Sequence, residues 1–264
     1  MTREPASRAK AHNKYYLADE TTVVPSVTSI LRVIGGKEFL LTWANNLGLD
    51  GIDVNEYRKA QAGVGTLGHA LIQAELTGSA TDFYGFSQEE RDRAQNVLRS
   101  FRAWHRTVDL EPLLVEAPLI SEVARYGGTI DLYARLGTQR GIIDLKSSND
   151  IYAEHWYQVA GYKRLLVENG HPVDFNAILR VGRDDGEGYT FEVSTTPDHD
   201  LAVFDAAHAL YLAQKARDMA IKNEVPVARK RRASSSVTLV LGTGGGTGKE
   251  APVLSPDAST TEGR

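Results

Sequence analysis

The segment GGTIDLYARLGTQRGIIDLKSS, from Gly127 to Ser148, constrains this chain more than any other. Two runs rich in aliphatic residues flank a polar turn containing glycine, which is the pattern of a β-hairpin. Successive strand residues point to opposite faces, so Asp144 and Lys146 project from one face and Ile143 and Leu145 from the other. On the preceding strand, Ile130, Leu132 and Ala134 alternate with Asp131 and Tyr133. A four-residue loop over Gly137 to Arg140 sets Leu136 against Gly141, Asp131 against Lys146 and Tyr133 against Asp144. Asp131 and Asp144 are then diagonal neighbours at roughly 7–8 Å, close enough to share one hard cation. A one-residue bulge would break that arrangement. Alone, a D-x-K pair on a hairpin is ordinarily a solvent-facing salt bridge.

The rest of the chain supplies helices and further strands. Tyr15 to Leu17 and Thr22 to Val24 read as short strands around a turn at Asp19-Glu20. Ser26 caps a short helix through Val33, stopped by Gly35-Gly36. A second helix is expected over Phe39 to Asn46, and a third over Val54 to Leu76 with a break near Gly63-Gly65. Ser87-Gln88-Glu89-Glu90 is a capping box, followed by Ala94, Val97, Leu98, Phe101 and Trp104 on one apolar helix face. Strands are expected at Pro112 to Ile120, Gly128 to Leu136 and Gly141 to Ser147, then a helix over Ala153 to Glu168. Phe175 to Val181 and Tyr189 to Ser194 form another hairpin turned at Asp185-Gly186, and Leu201 to Ile221 a long helix. This order predicts an α/β (α+β) fold: one domain over 14–224, with a central mixed sheet flanked by helices. Residues 1–13 read as a flexible arm and 225–264 as a disordered tail, with Val237 to Leu241 its one strand-like run.

Composition narrows the chemistry. The 264 residues include no cysteine, which excludes disulfides, cysteine-bound zinc and iron–sulfur clusters. No apolar run is long enough for a membrane span and the basic N-terminus has no apolar core behind it, so a cytoplasmic setting is expected. The net charge is −4, so contact with a polyanion needs a local basic patch or bound metal ions. Oxygen-rich sites favour magnesium. A cation between Asp131 and Asp144 could bind a phosphate and acidify a water, with Lys146 beside it to orient that water or accept its proton.

The wider pattern resembles the PD-(D/E)xK nuclease superfamily, in particular RecB-type nuclease domains and phage exonucleases. The resemblance rests on five motifs in order: Gly65-Thr66-Leu67-Gly68-His69, Glu116 in LLVEAPL, Asp131 in GGTID, Asp144-Leu145-Lys146 in IIDLKS, and Gln158 with Tyr162 in QVAGY. The stretch YYLADETTVVPSVTSIL also looks like the opening of many phage-encoded members. No proline precedes Asp131, a departure the superfamily tolerates. The resemblance implies a restriction-endonuclease-like fold. It implies metal ligation by His69, Asp131, Asp144 and the Leu145 backbone carbonyl, with Lys146 as the catalytic lysine. Glu116 would hold a second metal or a water, and Gln158 and Tyr162 would face the site and position substrate. One or two Mg2+ or Mn2+ ions are implied, and a histidine ligand fits manganese at least as well as magnesium. Cluster-bearing relatives hold iron–sulfur through cysteines, so the cluster-free, phage recombination type fits better. The implied partners are linear DNA, read with low sequence specificity, and a single-strand annealing or recombination protein; the compartment would be the host cytoplasm.

Other readings stand beside these. A structure-specific endonuclease would use the same residues, and a nuclease-like fold could also serve as a non-catalytic DNA- or protein-binding module. His155 reads as an exposed helix histidine, Trp156 and Tyr157 as core, and Tyr15 and Tyr16 as packing residues. Glu116 could instead pair with an arginine. LGTGGGTGKE fails as a phosphate loop: Thr243 stands where the first glycine belongs and Glu250 where a Ser or Thr should follow the lysine. Arg229, Lys230, Arg231 and Arg232 could grip a DNA backbone, or form a solvated charge run.

Overall fold

The structure, a computed structural model, describes residues 14–35 and 38–224. The arm at 1–13 and the tail at 225–264, with Val237 to Leu241, the glycine tract and the basic run Arg229 to Arg232, lie outside the described residues. The chain divides into two units, Met1–Asp218 and Met219–Arg264, and the sheet and its flanking helices as far as Asp218 belong to the first.

Two short strands, β1 (Tyr15–Tyr16) and β2 (Val23–Val24), pair antiparallel. The Asp19 carboxylate accepts the Thr21 and Thr22 N–H groups in the turn between them. Four helices follow: α1 (Val27–Leu31), α2 (Glu38–Leu49), α3 (Val54–Thr77) and α4 (Gln88–His105). Next come β3 (Leu110–Ser121), β4 (Tyr126–Leu136), β5 (Gln139–Lys146), α5 (Ala153–Glu168), β6 (Phe175–Val181), β7 (Tyr189–Val193) and α6 (Pro197–Glu224). The sheet order is β3-β4-β5-β6-β7, antiparallel except for the parallel pair β5–β6 that α5 connects. The expected mixed sheet with flanking helices is therefore what the chain forms. Among the described residues, no helix is long and apolar enough to cross a membrane.

Each sheet face carries its own core. Leu132, Ala134, Ile143, Leu145, Ala177 and Leu179 pack against Val64, Leu67 and Ile72 of α3 and Val97, Phe101 and Trp104 of α4. Ile130, Tyr133, Ile142 and Ile178 pack on the other face, against Ile30 of α1, Val159, Tyr162 and Leu165 of α5 and Phe204 of α6. Full burial of side chains this large stabilises by about 1.5–3 kcal/mol each before chain entropy is subtracted. The α4 capping box forms as its sequence requires. Ser87 Oγ accepts the Glu90 N–H, and Glu90 Oε2 accepts the Ser87 N–H at 2.7 Å.

Three expectations are corrected. Helix α3 runs unbroken through Gly63 and Gly65. A helical glycine costs about 1 kcal/mol, but these glycines face close neighbours. A Cβ on Gly65 would meet Ser147 Oγ at 3.1 Å, and one on Gly68 would lie 2.7 Å from Val97. Close packing offsets the weak propensity.

Second, the β4–β5 turn contains two residues, not four: Leu136 faces Gln139 and Tyr133 faces Ile142. Gly137, at φ 59°, supplies the positive φ that a two-residue turn with glycine first requires. The register therefore slips by two, which preserves the faces of Asp144 and Lys146 but brings Asp131 level with Asp144 rather than Lys146.

Third, the alternation on β4 is interrupted. Ile130 and Tyr133 enter one core while Leu132 and Ala134 enter the other. The switch falls at Asp131, and directly across the ladder Glu116 has φ 49°. A glutamate in the left-handed region costs on the order of 1–3 kcal/mol, strain that clusters at functional sites.

Candidate metal centre

The kink shared by β3 and β4 turns two carboxylates toward α3. His69 Nδ1 lies 3.6 Å from Glu116 Oε1 and 3.6 Å from Asp131 Oδ1. One ligand atom from each of these three residues falls within 4.8 Å of the others, the spacing of a group that could hold a metal ion. Asp131 is held from its other side, where Oδ2 accepts the Leu145 N–H at 2.9 Å. That bond replaces the ladder pairing, which ends at Leu132 and Ile143.

Asp144 lies one strand over, on the α5 face, and is 1% exposed. Its Oδ2 is ion-paired with Lys146 Nζ at 2.5 Å, while Oδ1 has no partner among the described residues. A buried carboxylate with one oxygen left unpaired is costly. Burial pushes its pKa up to about 6; Lys146 opposes the shift and the Asp131 charge adds to it. Asp131 moves the other way. Burial would raise it, but the charge and hydrogen bond of His69, with Lys146 and the Leu145 N–H, hold it well below the usual carboxylate range. Burial disfavours protonated His69, but Asp131 and Glu116 outweigh that and push its pKa up to about 9. The cluster thus gathers excess negative charge and borrows a proton and an ammonium to balance it.

From Lys146 a chain of hydrogen bonds runs into α5. Lys146 Nζ donates to Gln158 Oε1 at 3.2 Å, and Gln158 Nε2 donates to Tyr162 OH at 2.9 Å. Tyr162 is 6% exposed and its ring covers Gly128, where a Cβ would collide with it. This placement sets the Tyr162 hydroxyl between Gln158 and the charges of Asp144 and Asp131. Glycine at 128 lets α5 approach closely enough to form the chain.

The structure brings together every expected residue within the described region: His69, Glu116, Asp131, Asp144, Leu145, Lys146, Gln158 and Tyr162. The expected ligand set pairs His69 with Asp131 and Asp144. Among the described residues, the group whose ligand atoms lie within 4.8 Å of one another is His69, Glu116 and Asp131, and Glu116 meets His69. His155 is half-buried rather than exposed. Its Nδ1 accepts the Tyr152 N–H at 3.2 Å, and burial, then the Lys146 charge, lower its pKa to about 4. Its position one turn before Gln158 was the signal for this. Trp156 and Tyr157 pack against the core as expected. Tyr15 is buried and meets Thr129 through its hydroxyl, whereas Tyr16 is exposed.

The residues fit a divalent cation. Carboxylate oxygens with one imidazole nitrogen suit magnesium or manganese, and the orphaned buried Asp144 oxygen is a ligand atom in want of a partner.

No family model matches this sequence, and no curated protein matches it. Among solved structures, the chain is similar to an alkaline exonuclease (LHK-Exo) from Laribacter hongkongensis, at 15% identity and a TM-score of 0.28, over 60% of this chain and 91% of that one. A likeness of that size assigns neither activity nor substrate.

Proposed function

We propose that this chain is a Mg2+- or Mn2+-dependent deoxyribonuclease of the PD-(D/E)xK type, an exonuclease on linear DNA that serves phage recombination or DNA-end processing. One observation carries the reading: a buried, under-bonded Asp144 carboxylate beside Lys146, next to the His69–Glu116–Asp131 cluster. A surface salt bridge has no reason to bury its carboxylate; a metal ligand does.

His69, Asp131, Asp144 and the Leu145 carbonyl would hold the cation, with Glu116 binding a second ion or a water. When bound, the cation supplies Lewis acidity toward a phosphodiester. Lys146 Nζ orients the attacking water. Gln158 fixes the lysine, and Tyr162 fixes Gln158. The new bond joins the water oxygen to phosphorus and the P–O3′ bond breaks, leaving a 5′-phosphate and a 3′-hydroxyl. These contacts involve no base edges, so sequence preference is low.

Linear DNA incubated with magnesium or manganese should be degraded, and Asp144→Ala or Lys146→Ala should abolish it. Persistent activity in both variants would sink the assignment. Covalently closed circular DNA should survive, since an exonuclease needs an end.

A further inference from the structure

We propose that Arg180 and Arg183, on the β6–β7 hairpin, form a binding subsite in which each contacts its own backbone phosphate of the DNA strand whose scissile phosphate sits at the metal centre. The inference rests on the nuclease reading and deepens it.

The parallel register sets Arg180 directly beside Lys146. Both point to the α5 face, because Ile142 and Ile178 lie an even number of residues away and enter that core. Arg183 lies just past the strand end. Its Nη1 donates to Gln61 Oε1 at 2.6 Å, and Nη2 donates to Asn149 Oδ1, three residues beyond Lys146. Gln61, Gly65 and His69 recur every four residues on α3 and so share one stripe, with Gly65 against Ser147. Arg183 therefore meets the same helix face that carries His69, about 12 Å along the axis from it.

Like Arg91, which donates to the Phe83 and Phe86 carbonyls, these arginines meet neutral oxygens, but they do so beside the metal centre. Arg93, Arg102, Arg135 and Arg164 each end on a carboxylate: Asp184, Glu75, Glu111 and Asp205 respectively. Among the described residues, Arg180 and Arg183 have no carboxylate within ion-pair distance. Arg180 reaches Thr190 Oγ1 and the Glu187 carbonyl only at 3.4–3.5 Å, contacts too long to hold a guanidinium firmly. Arg183 is held by two neutral amide oxygens. Burial and the nearby Arg93 charge pull its pKa below the ordinary arginine value, although the Glu187 and Asp184 charges oppose the shift. A planar fork of N–H donors kept in place but not neutralised suits a phosphate. In a chain of net charge −4, local cations of this kind are what contact with a polyanion requires.

The test is DNA binding with Ca2+ in place of the catalytic ion, using an end-labelled blunt duplex across a salt series. Arg180→Gln and Arg183→Gln should each weaken binding about tenfold at low salt. Each should also flatten the slope of log affinity against log salt by about 0.9. Arg183→Lys keeps the charge and should retain most of the slope, which separates phosphate contact from loss of a strut. In turnover, KM should rise more than kcat falls. Unchanged affinity and slope in both glutamine variants, with wild-type protein binding and cutting DNA, would overturn the subsite alone. Wild-type protein that neither binds nor cuts the duplex in Mg2+ or Mn2+ would overturn the nuclease reading and the subsite together.

Discussion

Replacing Asp144 with asparagine should stabilise the metal-free protein while destroying its function. The folded state raises the Asp144 pKa from 3.8 to about 6, chiefly by burial. A carboxyl whose folded pKa lies above its unfolded value favours the fold only while protonated. Its contribution is fully present below pH 3.8 and is lost as pH rises through 6. By pH 8 the ionised side chain costs about 3 kcal/mol, at roughly 1.4 kcal/mol for each tenfold change in proton affinity on folding. Asparagine never ionises, so Asp144→Asn removes that cost, although Lys146 loses a charged partner and keeps the Gln158 contact and the nearby Asp131 charge. A net gain of about 1–3 kcal/mol should raise the melting temperature by roughly 2–12 °C for a domain of this size. Thermal melts in chelator between pH 5 and 8 should show the difference between variant and wild type growing through pH 6 and then levelling. Adding Mn2+ should reverse the order. Wild type gains about 2.7 kcal/mol at a hundredfold excess over its dissociation constant, and the variant gains far less. An Asp144→Asn protein less stable than wild type at pH 8 without metal would refute the reasoning, because the carboxylate would then be a satisfied structural partner of Lys146.

Two further outcomes follow from the same geometry. His69 has its pKa raised from 6.5 to about 9, so its stabilising effect is present below pH 6.5 and lost as pH rises through 9; metal-free melting temperature should fall across that window, and His69→Ala should erase the fall. Gly128→Ala places a methyl group in the Tyr162 ring and should cost about 1–3 kcal/mol in denaturant titrations, with an activity loss larger than unfolding accounts for because Gln158 loses its support; an unchanged denaturation midpoint would show that the ring moves aside freely.

Much of the fold was legible because its signals are local. The α4 face of Ala94, Val97, Leu98, Phe101 and Trp104 follows from helical spacing, and its start from the Ser87–Glu90 box. The span of α5 follows from the same periodicity. Glycine spacing misled in α3, because propensity counts what a glycine lacks and packing depends on what it admits. His155 read as exposed for a related reason: its environment comes from β5 and its loop, not from α5 itself.

The sequence by itself determined which residue types could meet: two aspartates and a lysine on a hairpin, a histidine on a helix, a glutamine and a tyrosine one turn apart. Strand parity and helical spacing are properties of the backbone, so those placements survive any packing. Tertiary structure alone decided the register, through a two-residue turn at Gly137. It decided the kink at Glu116 and Asp131 that swings both carboxylates to His69, and the burial that leaves Asp144 short of partners. Those outcomes depend on groups distant in the chain competing for the same space and the same hydrogen bonds, and no local pattern records the result of that competition.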